Sequence, residues 1–318
     1  MRTDAQTNRT ASHAPFEGQL SPSNLQDFAD RGFLIFRSFL SSAEVERVSR
    51  MLRATVFAFW SGSQSGSSAF ETAVQEVENE SLVSIKRCGT AGEVQFEPSF
   101  DPAKAVAADE LRVRKVQGLG HCAPWFEHTG FKVRMHRTAS QLLGADPVLF
   151  DEMALLKPPH GGMAMPLHQD NAYITYSPPE SVIVFWIAID PARALNGCMR
   201  IVPGGHNRGP IAHALRDPSR PQPTKQNETG TVVVADGILA SHLPAPEDQM
   251  FAELEPGDVL ILNSMVPHGT ARNDSALNRF ALQYHFHASD SRKLAPAEYA
   301  RRYPGFFGLT SHLEEAGE

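Results

Sequence analysis

The residues best suited to chemistry are a histidine and an aspartate two positions apart, His168 and Asp170, in the stretch MPLHQDNAYITY (165–176). The stretch is predicted to be a β-strand, in which side chains at positions i and i+2 point to the same face. We therefore expect His168 and Asp170 to project together, with Gln169 on the opposite side. An imidazole beside a carboxylate can form a salt bridge, part of a catalytic dyad, or two ligands of one metal ion.

A histidine farther along the chain favours the metal interpretation. Nonhaem iron(II) oxygenases bind iron through two histidines and one carboxylate and leave three positions open for cosubstrate and oxygen. In the stretch GDVLILNSMVPHGTARNDSALNRFALQYHF (257–286), His268 follows a predicted strand in a bend flanked by Pro and Gly. Arg279 comes eleven residues later, and its guanidinium is suited to holding a carboxylate through two parallel hydrogen bonds.

The predicted strand RFALQYHFH (279–287) has one apolar and one polar face. The apolar face carries Phe280, Leu282, Tyr284 and Phe286. The polar face carries Arg279, Ala281, Gln283, His285 and His287. From the alternation alone, the polar face could be exposed to solvent or could line a wet cavity.

Four other histidines are alternative metal ligands in principle: His160, His213, His285 and His287. None of them has a carboxylate two positions on together with a matching distal partner. The chain contains no H-E-x-x-H, G-x-S-x-G or P-loop motif, so the signatures of zincins, α/β-hydrolases and P-loop NTPases are missing.

Bulk composition narrows the class of protein. The chain has 318 residues and a formal net charge of -7, which disfavours a nucleic-acid partner. Its three cysteines form no C-x-x-C motif, as expected in a reducing cytosol. The longest apolar run, at 182–189, is too short to span a bilayer, and the polar N-terminus does not resemble a signal peptide. We expect a cytoplasmic protein with no membrane partner.

The predicted secondary structure changes from mainly helix to mainly strand at about residue 148. Before it we predict a disordered tail over 1–20 and a largely helical part over 21–147. After it, short β-prone runs separated by Pro, Gly and Asn predict an antiparallel jelly-roll core over 148–290 and a C-terminal tail over 291–318. The predicted fold class is therefore mainly β with flanking helices, in a single domain over 21–318.

Within the helical part, local signals define several elements. PSNLQDFADR (22–31) is predicted to be a helix stopped by Gly32, and GFLIFRSF (32–39) a short strand. Ser41 and Glu44 have the spacing of a capping box at the start of the next helix. A flexible Gly/Ser loop is predicted over 61–68 and a mixed, largely helical region over 105–145.

At this point the sequence resembles the phytanoyl-CoA dioxygenase family of Fe(II)- and 2-oxoglutarate-dependent dioxygenases. The ordered segments that carry the likeness are GFLIFRSFLSSAEVERV, LLKPP, PLHQDNAY, VIVFWIAID, NGCMRIVPGGH and PHGTARNDSALNRFALQYHF. The likeness covers roughly residues 25 to 290, with a poor match around 60–110, and Gly205 stands where the family usually has Ser. H-x-D alone occurs by chance, whereas the ordered set is specific.

The resemblance implies a double-stranded β-helix, or jelly roll, and a set of roles. His168, Asp170 and His268 would bind Fe(II). Residues that would contact 2-oxoglutarate are Arg279, Thr270, Lys115, Trp186 and Met153. The reaction would consume O2, release succinate and CO2, and oxidise a C–H bond of a small molecule.

Several of these residues also have a purely structural interpretation. Trp186 and Met153 are equally explained as core residues, and Lys115 as a solvated charge. Candidate substrate contacts are Gln169, Asn171, Tyr173 and Arg200. The stretches 60–110 and 207–250 are predicted to form a lid that sets specificity.

We expect a hydroxylase that acts on a natural-product intermediate or another small metabolite. The carboxylate at Asp170 favours hydroxylation over halogenation, since family halogenases replace it with a small residue. The alternatives are an acyl-CoA hydroxylase of the same family, a non-catalytic cupin-like binding protein, and a zinc enzyme of cupin type. The sequence carries no signal for the oligomeric state.

Overall fold

The computed structural model describes residues 16–64, 70–77, 80–87, 93–96, 113–119, 130–162, 164–213, 225–226, 232–233, 237–238 and 240–306. Its α-helices are α1 (Pro22–Arg31), α2 (Ser42–Gln64), α3 (Phe131–Leu143), α4 (Asn171–Ile174) and α5 (Pro296–Arg302). Most of the tail predicted over 1–20 and much of the predicted lid lie outside the described residues. None of the helices in the described ranges is long and apolar enough to cross a membrane.

The strands fall into two parts of the chain. The first six strands are β1 (Phe33–Phe36), β2 (Phe70–Val77), β3 (Glu80–Arg87), β4 (Glu93–Phe96), β5 (Val113–Gln117) and β6 (Pro147–Lys157). Those that follow are β7 (Met165–His168), β8 (Tyr176–Ser177), β9 (Val182–Ala188), β10 (Met199–Ile201), β11 (Lys225–Gln226), β12 (Val232–Val233), β13 (Met250–Ala252), β14 (Val259–Asn263), β15 (His268–Thr270), β16 (Arg279–Ala288) and β17 (Arg292–Lys293).

The first two helices begin where local sequence signals predict. Ser21 caps α1 and Gly32 ends it in the left-handed conformation, with its N–H bonded to Phe28 O. At α2, the Ser41 N–H donates to Glu44 Oε2 at 2.8 Å and the Glu44 N–H donates to Ser41 Oγ at 3.3 Å, which confirms the capping box. This helix continues to Gln64, so the start of the Gly/Ser loop predicted over 61–68 is helical.

Two antiparallel sheets form the body of the molecule. The larger has the order β1-β14-β9-β16-β6-β5-β4-β3-β2, and the smaller has the order β13-β10-β15-β7. A cluster of buried side chains lies between them and includes Trp186 and Leu260 of the larger sheet and Met199 and Ile201 of the smaller. This arrangement confirms the predicted jelly-roll core.

The packing of β16 shows whether its polar face is exposed to solvent or points into the protein. Leu282, Tyr284 and Phe286 lie in a second buried cluster with residues of α1, α2 and α3. The opposite face carries Ala281, which belongs to the cluster between the two sheets. The polar face of β16 therefore points into the jelly roll and not into solvent.

Three expectations about local structure are wrong. The stretch 165–176 is not one strand, because β7 ends at His168 and α4 follows two residues later. The part 21–147 is less helical than expected, since β2–β5 extend the larger sheet in addition to the predicted strand β1. The C-terminal part 291–318 includes β17 and α5, and Leu294, Tyr299 and Phe306 are buried with Met265.

Candidate active site

The smaller sheet brings two distant histidines side by side. β7 ends at His168 and β15 begins at His268, and the register of these antiparallel strands pairs the two residues directly. Side chains that face each other across antiparallel strands lie on the same side of the sheet. The centroids of the two imidazole rings are 4.4 Å apart, so one small ion can lie within reach of both.

Backbone hydrogen bonds decide which nitrogen of each ring is available. His168 Nδ1 lies 2.8 Å from Pro166 O, and His268 Nδ1 lies 2.9 Å from Val266 O. A carbonyl only accepts, so in both rings Nδ1 is the protonated donor and the lone pair is on Nε2. Metal-binding histidines typically donate from the ring nitrogen that does not bind the metal to a carbonyl or carboxylate in this way.

Asp170 reaches the same point from a turn, not from a strand. Its backbone is helical, with φ -56° and ψ -40°, and it lies immediately before α4. Its Oδ1 is 3.2 Å from His168 Nε2 and 3.5 Å from His268 Nε2. The predicted convergence of His168 and Asp170 is present, although the predicted strand geometry is wrong.

The three ligand atoms lie within 4.8 Å of one another. Two neutral imidazoles and one carboxylate on one side of an ion form a donor set suited to Fe(II) with open positions. Among the described residues, no other group of three or more His, Cys, Asp or Glu side chains has this geometry. The residues present therefore fit the metal that the sequence predicts.

The charges at this point favour an ionised carboxylate. Burial raises the pKa of Asp170, but the positive charge of His268 and the close approach of the His168, His268 and His285 rings outweigh it and hold the pKa well below its usual value. Burial lowers the pKa of His268, but the Asp170 carboxylate and the Val266 carbonyl raise it overall. A cation bound here would take over the role of the proton on His268.

The side chain of Gln169 is hydrogen-bonded to backbone groups around it. Its side-chain amide donates to Gly209 O at 3.0 Å and to Met265 O at 2.7 Å, and its Oε1 accepts from Ile211 N at 2.8 Å. The residue is fully buried. We therefore correct the expected substrate contact: Gln169 holds the turn that presents Asp170.

Asn171 has a similar structural role. Its amide donates to Tyr176 O at 2.7 Å and to Pro179 O at 2.9 Å, and its Oδ1 accepts from Tyr176 N at 2.9 Å. All its bonding groups are used inside the protein, so the expectation that it contacts substrate is wrong. Polar residues that close turns and polar residues that bind ligands look alike in a sequence.

The other two predicted substrate contacts lie in different places. The Tyr173 ring meets the His168 ring edge-on with centroids 5.9 Å apart, so this residue stays a candidate. Arg200 pairs with Gly269, while its neighbour Ile201 pairs with His268. Alternation along β10 places Arg200 on the face of the smaller sheet that points away from the histidines, which contradicts the expected role.

Arg279 is a buried cation with free donors. It is 2% exposed, and its Nε and Nη1 atoms have no hydrogen-bond partner in the described part of the chain. Burial lowers its pKa to about 10, against smaller opposing effects of Cys198 and Asp190. Its guanidinium lies over the Trp186 ring, 5.2 Å from the centroid. A buried guanidinium with unused donors fits a carboxylate ligand such as one end of 2-oxoglutarate.

The remaining predicted cosubstrate residues share the inner faces of the two sheets. Thr270 lies two positions after His268 on β15 and is buried. Trp186 and Met153 both pair with Gln283 of β16, and Trp186 Nε1 is buried with no hydrogen-bond partner among the described residues. Lys115 pairs with Leu155, which pairs with Ala281, so it belongs to the same inner face.

Several residues near the site were not assigned from the sequence. Lys157 pairs with Arg279 across β6 and β16 and donates from Nζ to Ala271 O at 2.7 Å. His213 Nε2 accepts from the backbone N–H of Gln169 at 3.0 Å. Asp151 and His285 face each other, and His285 lies next to Asp170. From the sequence, His285 is one of four alternative metal ligands and lies on the polar face of the strand 279–287.

Comparison with known proteins agrees with this geometry. The sequence model of the phytanoyl-CoA dioxygenase (PhyH) family matches residues 28–281. The chain is 26% identical over 294 residues to a phytanoyl-CoA dioxygenase of Arabidopsis thaliana, covering 90% of this chain and 95% of the relative. It is 26% identical over 271 residues to phytanoyl-CoA dioxygenase domain-containing protein 1 of Bos taurus, covering 84% and 89%.

Solved structures share the fold at lower identity. EvdO2 from Micromonospora carbonacea var. aurantiaca superposes with a TM-score of 0.58 at 20% identity, covering 89% of this chain and 96% of that one. The 2-oxoglutarate-dependent carbocyclase SnoK from nogalamycin biosynthesis superposes with a TM-score of 0.56 at 16% identity, covering 93% and 96%. EctD from S. alaskensis, solved with 2-oxoglutarate and 5-hydroxyectoine, gives a TM-score of 0.54 at 13% identity, covering 92% and 81%.

Proposed function

Because the chain belongs to the phytanoyl-CoA dioxygenase family, we propose that it hydroxylates a C–H bond of a natural-product intermediate or another small metabolite. It is an enzyme of the Fe(II)- and 2-oxoglutarate-dependent dioxygenase class. Bound Fe(II) supplies the redox chemistry that couples decarboxylation of 2-oxoglutarate, to succinate and CO2, with oxidation of the substrate by O2. The residue roles below and the choice of substrate are the proposal.

The metal ligands are His168 Nε2, His268 Nε2 and Asp170 Oδ1. The single observation that carries this assignment is the convergence of these three atoms, each with its orientation fixed from behind by backbone bonds or by a turn. Three protein ligands leave open positions for the cosubstrate and oxygen. The Asp170 carboxylate also favours hydroxylation, because a halogenase needs that position free for a halide.

The cosubstrate is bound by Arg279 through its distal carboxylate. The unused Nε and Nη1 donors of the buried guanidinium are available for hydrogen bonds that a carboxylate accepts. Thr270 adds a hydroxyl from β15 of the smaller sheet, and Lys115 a positive charge from β5 of the larger sheet. Trp186 and Met153 form the apolar wall that keeps water from this pocket.

The substrate lies over Tyr173, next to the metal ligands. Support for a small metabolite comes from neighbours of the same fold, which include a carbocyclase of nogalamycin biosynthesis and an enzyme solved with 5-hydroxyectoine. The names of the curated relatives favour a second candidate, an acyl-CoA hydroxylase. A succinate-release screen over acyl-CoAs, amino acids, nucleotides and small natural products separates the two.

The reaction class is tested by anaerobic titration. Fe(II) and 2-oxoglutarate together should give a weak visible charge-transfer band that neither gives alone. Asp170→Asn should weaken Fe(II) binding by more than about 100-fold, since loss of a direct ligand should exceed the 10–100-fold typical of residues behind the ligands. Asp274→Asn is the matched control, because this exposed carboxylate forms an ion pair with Arg272 and is not one of the three candidate ligands.

The competing functions give different results in the same assay. A zinc enzyme of cupin type would keep its activity without oxygen and be activated by added Zn2+, whereas a dioxygenase would be inhibited. A non-catalytic binding protein would release no succinate. Folded protein that gives no charge-transfer band with both additions would contradict the proposed function.

A further inference from the structure

One oxygen of Asp170 has no partner in the candidate metal site. Oδ1 faces both ligand histidines, at 3.2 Å and 3.5 Å from their Nε2 atoms. Oδ2 is buried and makes no hydrogen bond to the described residues. A carboxylate free to rotate could turn either oxygen, or both, towards a bound ion. Something has to hold Oδ2 away if the third ligand is to supply one oxygen only.

His285 is in position to do this from the opposite sheet. Its Nε2 is 3.7 Å from Asp170 Oδ2, and its Nδ1 is 3.7 Å from Asp151 Oδ2. The ring is thus placed between two carboxylates, one of which belongs to the candidate ligand set. Its Nδ1 is buried and makes no hydrogen bond to the described residues, and the residue is 4% exposed.

The position of His285 is set by strand pairing. His285 pairs with Asp151 across β16 and β6, so the two side chains lie on the same inner face. Phe150 lies beside the imidazole with ring centroids 5.7 Å apart. The Gln117 amide lies 3.4 Å and 3.5 Å from the two oxygens of Asp151. The ring is therefore supported by side chains of β5 and β6 in the larger sheet.

We propose that His285 is a positioning residue, which holds Oδ2 of Asp170 so that Oδ1 alone faces the metal, and that Asp151 orients the His285 ring from behind. The proposal rests on the proposed function only in taking Asp170 as a metal ligand. The 3.7 Å separations are electrostatic contacts and not hydrogen bonds. A shift of the ring of less than about 1 Å closes the contact to Oδ2 to hydrogen-bond length.

Gln283 is compatible with this role. Its Nε2 lies 3.1 Å from His285 Nε2. As placed, the amide nitrogen can only donate to His285 Nε2, whereas the proposed role needs an N–H at Nε2; a half-turn of the amide presents its oxygen, which accepts from that N–H. His285 Nε2 therefore has the Gln283 amide as a polar neighbour in either orientation of that amide. The partners of metal-binding carboxylates affect the metal in the same way as the partners of metal-binding histidines.

The test compares variants that remove or keep a donor at this position. His285→Leu removes it, His285→Gln keeps an N–H, and Asp151→Asn removes the charge behind the ring. His287→Gln is the matched control, since this histidine lies on the same face of the same strand but contacts Ala288 O and Ser291 Oγ. Thermal unfolding of each metal-free variant checks that it is folded.

The first readout is Co2+ binding to the full chain, measured by calorimetry and by the visible ligand-field spectrum. We expect His285→Leu to weaken Co2+ binding about tenfold or more and to change the spectrum, because a second carboxylate oxygen changes the coordination number. His285→Gln should restore most of the affinity and the wild-type spectrum. Asp151→Asn should give a smaller loss, and His287→Gln none.

The outcomes separate this inference from the proposed function. If the wild type binds Co2+ and gives the Fe(II)–2-oxoglutarate band, but His285→Leu shows the wild-type affinity and spectrum, the positioning role is wrong and the enzyme class stands. An equal loss in the Leu and Gln variants would also overturn it, because a donor would then make no difference. A wild type that binds neither ion would overturn both.

Discussion

At the scale of single residues, hydrogen bonds made away from the site decide what each side chain offers to it. The Nδ1 atoms of His168 and His268 both donate to the carbonyl two residues earlier, which leaves the Nε2 lone pair available to a metal ion. Asp170 is kept ionised by the charge of His268 despite its burial. Two N–H donors of Arg279 are buried without a partner among the described residues. Removing them from water costs free energy, which a bound carboxylate would offset.

The first residue-scale prediction concerns Arg279. Arg279→Lys should raise the Kd of 2-oxoglutarate about 10–100-fold, in line with the 1.5–3 kcal/mol typical of hydrogen bonds to charged groups, because an ammonium cannot reproduce the planar fork. Calorimetric titration of the Mn2+-loaded protein measures this. Metal affinity without 2-oxoglutarate should not change, and Arg292→Lys at an exposed position is the control. Unchanged 2-oxoglutarate affinity would remove Arg279 from the cosubstrate site.

The second residue-scale prediction concerns His213 and pH. Burial lowers the pKa of this ring to about 4, and in the neutral form its Nδ1 donates to Ile211 O while Nε2 accepts from Gln169 N. The unfolded chain therefore binds this proton at higher pH than the folded one. The stability that neutral His213 contributes is complete above about pH 6.5 and is lost as the pH falls towards 4.

Urea unfolding of the metal-free protein between pH 7 and pH 4 measures this effect. The loss assigned to His213 is up to roughly 3 kcal/mol, at about 1.4 kcal/mol per pKa unit. Other groups titrate in this range, so the measurement is the difference between the wild type and His213→Gln, which cannot titrate. The variant should show the flatter pH profile, and parallel profiles would show that His213 does not carry the effect.

At the scale of elements, the close approach of β7 and β15 is what joins the two histidines. Gly269 follows His268, and a Cβ atom at this glycine would lie 2.6 Å from Met165 O and 2.8 Å from Pro166 O. Both contacts are with backbone and cannot be relieved by a side-chain rotation. The absence of a side chain at Gly269 therefore allows β15 to lie against β7 at the point where the ligands meet.

This packing leads to a prediction for Gly269→Ala. The added methyl should separate β15 from β7, lower the free energy of unfolding by about 1–3 kcal/mol, and weaken metal binding because His268 moves away from His168. Gly130→Ala is the control, since a methyl group added there would meet no atom within 4 Å. Urea unfolding and Co2+ titration measure the two effects. Wild-type values for both would show that the strands tolerate the methyl group.

At the scale of the whole molecule, the candidate site exists only in the folded chain. His268 lies one hundred residues after His168 along the sequence, and His285 approaches from the larger sheet while the ligands belong to the smaller sheet and its adjoining turn. An ion that binds all three ligands binds the native state and not the unfolded chain. Binding free energy therefore adds directly to stability.

Metal binding should accordingly raise the melting temperature. At a metal concentration about one hundred times Kd, the added stability is about 2.7 kcal/mol, which corresponds to roughly 5 °C for a chain of this size. Scanning calorimetry with Mn2+ under anaerobic conditions measures the shift, and a chelator should reverse it. Asp170→Asn should show no shift at the same concentration. An equal shift in that variant would mean that the ion binds elsewhere.

The sequence by itself determined the class of fold and selected the candidate site residues. Ligand chemistry is tied to residue type, so His168, Asp170, His268 and Arg279 could be selected from type and spacing together with the family resemblance. Period-two alternation in β16 and the capping box at Ser41 and Glu44 are local properties, and both are present in the structure. Family membership, the enzyme class and the jelly-roll core are confirmed.

Only the tertiary structure decided which of the neighbouring polar residues face the site. Gln169 and Asn171 flank Asp170 in sequence, yet their amides are used by backbone groups of the surrounding loops. Arg200 lies on the opposite face of its sheet. His285, with no motif of its own, lies beside Asp170. The physical reason is that burial and hydrogen-bond partners are set by contacts between residues far apart in the chain, which local spacing does not encode.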